Sequence, residues 1–374
     1  MSIKNRAQGY TLVEIMVSLT ICIILSAGAI QILFSSSSSS RVSQQLATMQ
    51  ETARFAASKL AEEVRMAGYL GCADASSSGL SVVEVKPGVQ QSLDFNGFLV
   101  APNAGGQRIT PMIFGKTVLS DAFLLGVDGN AIEPLTNLEN WTQNTPIDIA
   151  PVVGKTIAEN SDVLIIQRAH RTAGRVLAVN GSTVSTTDSP VTTGNIGLIT
   201  DCTGIDMFYV SNFNNNDITL DTADNTRIEL QQFQIPANPL TGPHLHRFGG
   251  FAYYVGYLND DPSEVPVLYQ ANLYDPAGGK IELVRGVENM QVEYGISTDQ
   301  GNSILYVNAD TLLAMASPVV ATVRLAILVR SEAPLAHTHT PQTYRLLNEV
   351  IQTDDQFIRS VFTTTIKVRN RRII

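Results

Sequence analysis

The sequence predicts an α+β fold: one long N-terminal α-helix packed on an antiparallel β-sheet domain that carries large β-rich insertions. Three observations predict it. An uncharged apolar run from Ile15 to Phe34 leads into apolar residues spaced by three and four as far as Ala67, the period of a helix with one buried face. The cluster Gly68-Tyr-Leu-Gly-Cys72 then breaks that period, as glycine does where a helix ends. Beyond it, short segments rich in branched and aromatic residues alternate with Asn, Asp, Gly and Pro, the pattern of strands and hairpin turns.

The apolar run comes first. About twenty helical residues rising 1.5 Å each span roughly the 30 Å hydrocarbon core of a bilayer. Glu14 stands alone at its head. An acid at the centre of a span costs about 2.5 to 3.5 kcal/mol, and near the end it still needs a reason to be there. After the run comes Ser35 to Ser40, which by composition reads as a flexible linker. Yet Val42, Leu46, Met49, Ala53, Ala56, Leu60, Val64 and Ala67 continue the helical stripe beyond it. The serines are therefore a weakened stretch within one long helix, because serine is a moderate helix former that competes for backbone hydrogen bonds.

The strands follow in order. Leu80–Val85, Asp162–Arg168, Arg175–Val179, Phe251–Leu258 and Pro266–Tyr269 read as short strands between turn clusters. Loops such as Pro87–Gln91 and Asn103–Arg108 are surface elaborations of the middle region. Val319–Val329 is almost continuously apolar apart from Thr322 and Arg324, as a sheet strand covered on one face by the N-terminal helix and partly on the other is, and Val361–Val368 alternates Thr with apolar residues, as a half-buried strand does. Ala309–Met315 reads as a short helix.

Two resemblances build on these residues. Gly9-Tyr10-Thr11-Leu12-Val13-Glu14, preceded by a leader carrying Lys4 and Arg6, resembles a type IV prepilin signal. That resemblance implies cleavage between Gly9 and Tyr10, methylation of the new Tyr10 amine, and assembly through Glu14, whose carboxylate would meet the N-terminal ammonium of a neighbouring subunit. Tyr10 stands where the family usually has Phe. Glu282–Gly295, Val319–Ser331 and Ile358–Arg371, in that order, resemble the pilus-assembly protein PilW. The two together imply a type IV pilin-like fold and a structural minor pilin that helps initiate or tip a pilus.

Its implied partners are other minor pilins and the major pilin, the prepilin peptidase and methylase, the inner-membrane assembly platform, and a tip adhesin. Four segments result: a leader over 1–9, a membrane half of the helix over 10–34, an amphipathic half over 35–68, and a periplasmic β-rich domain over 69–374. The protein would cross the inner membrane once and then enter the pilus, at its tip. A minor pseudopilin of a type II secretion system shares this N-terminus, and a tip adhesin binding through the middle region is the alternative from another class. An ordinary secretory signal cut near Ala27-Gly28-Ala29 explains neither Glu14 nor the unbroken helical pattern. A plain membrane anchor leaves Glu14 without a role.

Charge and cysteine usage fit a chain that is sent across the membrane and binds no nucleic acid over a broad surface. The 374 residues carry a formal charge of −9, which becomes −11 when Lys4 and Arg6 leave with the leader. Such a chain offers no broad basic footprint for nucleic acid. Cys22 lies inside the apolar run as a small hydrophobe. Cys72 and Cys202 fall on the side that the positive-inside rule sends outward, where they are either a disulfide pair or two separate buried thiols. Bridging about 130 residues would stabilise the fold by about 2 to 4 kcal/mol.

The remaining chemistry is sparse. His244-Leu-His246 and His337-Thr-His339 could hold a metal if paired, but no Cys or acid cluster stands at ligand spacing, so they read as two loops with exposed histidines. Asn214–Asp217, with Asp221 and Asp224, lacks the EF-hand spacing and reads as a hairpin turn. Asn180-Gly-Ser182 matches a glycosylation sequon, though a tight Asn-Gly turn accounts for it. No nucleophile elbow, phosphate loop or zinc signature occurs, so neither an enzyme nor a cofactor is expected. Arg369, Arg371 and Arg372 make a basic strand end.

Overall fold

The computed structural model describes residues 11–67, 69–72, 124–127, 158, 160–201, 205–223, 225, 230, 233, 235–236, 242–261, 263–272, 280–298, 303–308, 311, 320–334 and 341–369. The strand expected at Leu80–Val85 lies outside these residues, as does the helix expected at Ala309–Met315 apart from Thr311. The chain divides into two compact units, residues 1–50 and 51–374.

One helix, α1, runs Leu12–Met66 and takes in all of the serines from Ser35 to Ser40. It starts at Thr11, whose hydroxyl and carbonyl both accept the Glu14 N–H, at 3.3 and 3.1 Å. Thr-x-x-Glu is the capping-box pattern, which satisfies amides that the first turn leaves without partners. Within the apolar run Ser18 donates to the Glu14 carbonyl and Thr20 to the Met16 and Val17 carbonyls. The hydroxyls are thus absorbed by the helix's own backbone.

Among the described residues the strands are β1 (Leu124–Val127), β2 (Val163–Asn180), β3 (Thr183–Thr187), β4 (Ile196–Thr200), β5 (Ile205–Tyr209), β6 (Asn212–Asn214), β7 (Asp217–Thr219) and β8 (His244–Tyr257). They continue as β9 (Pro266–Asn272), β10 (Lys280–Arg285), β11 (Val287–Thr298), β12 (Ser303–Val307), β13 (Val320–Arg330), β14 (Gln342–Leu346), β15 (Glu349–Thr353) and β16 (Arg359–Lys367). Every pairing is antiparallel. A ten-stranded sheet follows the path β10-β9-β8-β2-β3-β7-β6, with β1 beside β2 and the pair β4–β5 beside β8. A four-stranded sheet has the order β12-β11-β13-β16, and β14–β15 is a hairpin.

Two expected strands prove to be one. Asp162–Arg168 and Arg175–Val179 belong to the single 18-residue β2, because a bulge absorbs the polar residues between them. Pairing with β8 jumps from Ala169↔Phe248 to Ala173↔His246, leaving His170, Arg171 and Thr172 opposite Arg247 alone. β8 also starts earlier than expected, at His244. At the far end of β2, Gly181 at φ 59 turns the chain into β3, so the Asn180-Gly-Ser182 sequence is a hairpin tip with Asn180 exposed. Asn215 and Asn216, at φ 49 and 70, make the two-residue turn between β6 and β7 that Asn214–Asp217 predicted.

The outer part of the larger sheet curls around its own core, which among the described residues runs from Val176 to Leu245 and includes Val184, Ile199, Phe208 and Ile218. The two sheets meet at a corner. Gly286, at φ 89, is the one residue between β10 and β11; its N–H donates to the Pro266 carbonyl and its carbonyl accepts the Arg330 N–H. Residues 160–162 add a second seam, with Asp162 accepting the Val292 N–H at 2.8 Å and Asn289 and Gln291 donating to the Asn160 carbonyl. The central strand β13 is buried apart from the half-buried Thr322, Arg324 and Arg330. The hairpin β14–β15 covers Ala326 and Leu328 with Leu346. Arg359, with its side chain only 2% exposed, fastens the start of β16 to Glu288 and Asp355.

Candidate assembly surface

The apolar half of α1 is a cylinder with no buried side. From Leu12 to Phe34 every large apolar side chain is more than half exposed, and the mean hydropathy of the helix's most apolar window is 2.3. A core helix of a soluble domain would bury such a run. By length and composition this segment can cross a membrane or pack against other helices. Glu14 is exposed in the first turn, where a carboxylate also complements the helix dipole. Gly9 and Tyr10 lie outside the described residues.

Within residues 51–374 the C-terminal part of α1 is clamped to the larger sheet. Ala53, Ala56, Leu60, Val64 and Ala67 are all buried, as the stripe predicted. Leu46 is exposed, so continuous burial starts only at Met49. Small residues at Ala53, Ala56 and Ala61 allow the helix backbone to lie close to what it packs on. The register of β2 with β8 places Leu164, Ile166 and Arg168 on the same face as Tyr253, Phe251 and Gly249. Arg168 stacks over the Phe251 ring at 5.1 Å.

Glu63 is what the sequence did not announce. It is buried beside the stripe, accepting from Lys59 at 2.7 Å and from Arg168 at 2.9 Å. Burial pushes its carboxyl up. The hydrogen bond from Lys59 and the charges of Arg168 and Lys59 outweigh that, leaving Glu63 below the usual carboxylate value. The adjacent pair Glu62–Arg171, at 2.7 Å, is about half exposed and contributes little. A charged residue next to an apolar stripe ordinarily marks a solvated edge. Here its partner lies 105 residues away on β2, and only the fold reveals it.

At its exit, α1 is held by backbone and ring contacts. The Ala169 N–H donates to the Tyr69 carbonyl at 2.7 Å, and Tyr69 meets His246 edge-on with ring centroids 6.0 Å apart. Gly71 takes φ 81, and a Cβ there would lie 2.4 Å from Thr200 Cγ2, so the turn accepts no side chain. His244 and His246 therefore do not sit in an exposed loop. Both are on β8, and His246 is buried, its Nδ1 donating to the His170 carbonyl at 2.9 Å. Burial holds the His246 pKa below its ordinary value.

Sequence reasoning misplaced this pair because strand β8 begins seven residues before the aromatic segment that announces it. His337, His339, Asp224, Arg371 and Arg372 lie outside the described residues, among which no group of three or more His, Cys, Asp or Glu could hold a metal. Cys22 is a free, exposed thiol, and Cys72 is disulfide-bonded. Cys202, its expected partner, lies outside the described residues.

A cavity of 280 Å³ opens among β11, β12 and the β14–β15 turn, walled in part by Asp162, Gln291, Glu293, Tyr306 and Asn348. Its buried acids are already engaged: Asp162 holds the Val292 N–H, and Glu293 accepts from Arg324 and Asn348. The cavity is a structural seam.

Comparison with known proteins places the two ends of the chain. The family model described as type IV pilus-assembly protein W matches residues 252–370, which take in the last six residues of β8 and the strands from β9 to β16. The model of the prokaryotic N-terminal methylation motif matches residues 4–30, the head of α1 and what precedes it. No curated protein and no solved structure matches the chain. An exposed apolar helix that begins within the methylation motif, in a chain whose strands β9 to β16 match the pilus-assembly family, makes the two ends of the chain similar to a PilW-like type IV pilin.

Proposed function

We propose that the protein is a structural minor pilin that helps initiate or cap a type IV pilus, in complex with other minor pilins. One observation carries the reading: an apolar, uncharged helix run with no burial of its own, beginning within the methylation motif, is continuous with a helix that a buried ion pair fixes to β2, in a chain whose later strands match the pilus-assembly family. The exposed half is the part other helices would cover. The clamped half transmits that assembly to the β domain.

In this reading residues 1–9 are the leader, prepilin peptidase cuts between Gly9 and Tyr10, and the Tyr10 amine is methylated. The helix crosses the inner membrane with the β domain in the periplasm until the assembly platform extracts it. Glu14 then pairs with a neighbouring subunit's ammonium. The role is structural, and no catalytic step is assigned to any residue.

Deletion of the coding region, with complementation by the full chain, tests it. Surface pili should fall sharply on deletion and return on complementation, and the extracted protein should begin at methylated Tyr10 by intact mass. Unchanged piliation together with a defect in protein secretion would assign the chain to a type II secretion machine instead. A mature N-terminus at Ile30 would overturn the pilin reading altogether.

A further inference from the structure

We propose that the seam between the exit of α1 and the bulge of β2 is an acid-labile latch: protonation of His170 opens it while the four-stranded sheet stays folded. His170 heads the bulge, and its Nε2 is buried without a hydrogen-bond partner. Its ring sits 5.4 Å from Phe251. A Cβ at Gly249 would lie 3.0 Å from Nε2, so this strand closes the space on that side.

Among the described residues, the charged groups that act on His170 are Arg168 on its own strand, Arg247 and His246 on β8 and Glu63 on α1, with Lys59, Glu62 and Arg171 next to them in the ion pairs of the same seam. The two carboxylates are taken, Glu63 by Lys59 and Arg168, Glu62 by Arg171. A proton on His170 thus adds a cation beside Arg168 and Arg247, where both carboxylates of the described seam are already paired. Burial first, then the charges of Arg168 and Arg247, hold its pKa at about 4.

The exit of α1 hangs on this residue and its neighbour. The His170 carbonyl receives His246 Nδ1, His246 packs against Tyr69, and the Ala169 N–H holds the Tyr69 carbonyl. If His170 leaves its pocket, all three contacts lose their support. Because the folded value lies below the free value of 6.5, protons favour the open form as pH falls from 6.5 toward 4. The gain is at most about tenfold per pH unit, and less for a ring that is partly exposed.

Hydrogen exchange on the detergent-solubilised full chain, corrected for intrinsic rates and read between pH 7 and 4.5, tests the latch. The Ala169 amide and residues 69–72 should lose roughly tenfold protection or more, while β11 and β13 keep theirs. In His170→Gln, which cannot titrate, that loss should shrink to within about twofold. A second variant, His170→Phe, should behave in the same way if Gln disturbs packing at neutral pH. The latch is overturned if wild type shows no loss, if β11 and β13 open together with it, or if both variants lose protection as wild type does. Flattening by His246→Gln alone would also overturn it, since the trigger would then be the other ring.

Discussion

Glu14 and Glu63 are both carboxylates on α1, and their surroundings give them opposite tasks. Glu14 is exposed at the third position of the helix, where the capping pattern accepts Gln as readily as Glu. Glu14→Gln therefore spares the helix start and removes only the charge. Cleaved Glu14→Gln protein should reach normal amounts in the inner membrane, with reduced capture by other pilins and fewer pili; wild-type capture would show that the carboxylate is no assembly contact. Glu63 is buried against Arg168. Glu63→Leu leaves Arg168 desolvated and alone, and should cost about 3 to 5 kcal/mol, whereas Glu63→Leu with Arg168→Met should recover most of that. Chemical denaturation of the four members of this cycle measures it, and equal losses in single and double variants would sink the pairing argument. The sign of the pH effect is fixed too. Glu63's folded value lies below its free value of 4.5, so its contribution is present above that pH and is lost as acid carries the carboxyl through the lower folded value.

At the scale of elements, what could be read from sequence depended on how local its cause was. The helix from Leu12 to Met66 and the strands β13 and β16 follow from period and composition within a few residues. β2 does not, because the bulge at His170–Thr172 looks like a polar turn until β8 is paired with it from some eighty residues away. Separations of 105 and 76 residues likewise hid Glu63 and His246 as clamp residues. The turn after α1 was legible as glycine-rich, but the reason for Gly71 was not: it is the crowding of Thr200 and His246. Gly71→Ala must accept both a left-handed backbone and a clash, so we expect a loss of about 2 kcal/mol, seen as a lower melting temperature. Gly28, with nothing within 4 Å, should tolerate alanine at no cost to the isolated chain. Equal effects at the two glycines would contradict the packing described for the exit.

For the molecule as a whole, Cys72 at the exit of α1 is disulfide-bonded, and we propose Cys202 as its partner. Non-reducing peptide mapping should recover Cys72 joined to Cys202, with Cys22 alkylated as a free thiol; recovery of Cys202 as a free thiol would remove that cross-link. The β2–β8 register has a wider consequence. Ala169 and Phe248 are direct partners, many of the described apolar residues between them pack into a core of their own, and the match to the pilus-assembly family begins only at residue 252. The intervening stretch is spliced into a hairpin, and its two ends leave the sheet where a short turn could close them. A lineage could exchange this outer portion wholesale, and so alter what the protein presents, without touching the strands by which it is recognised as a pilin.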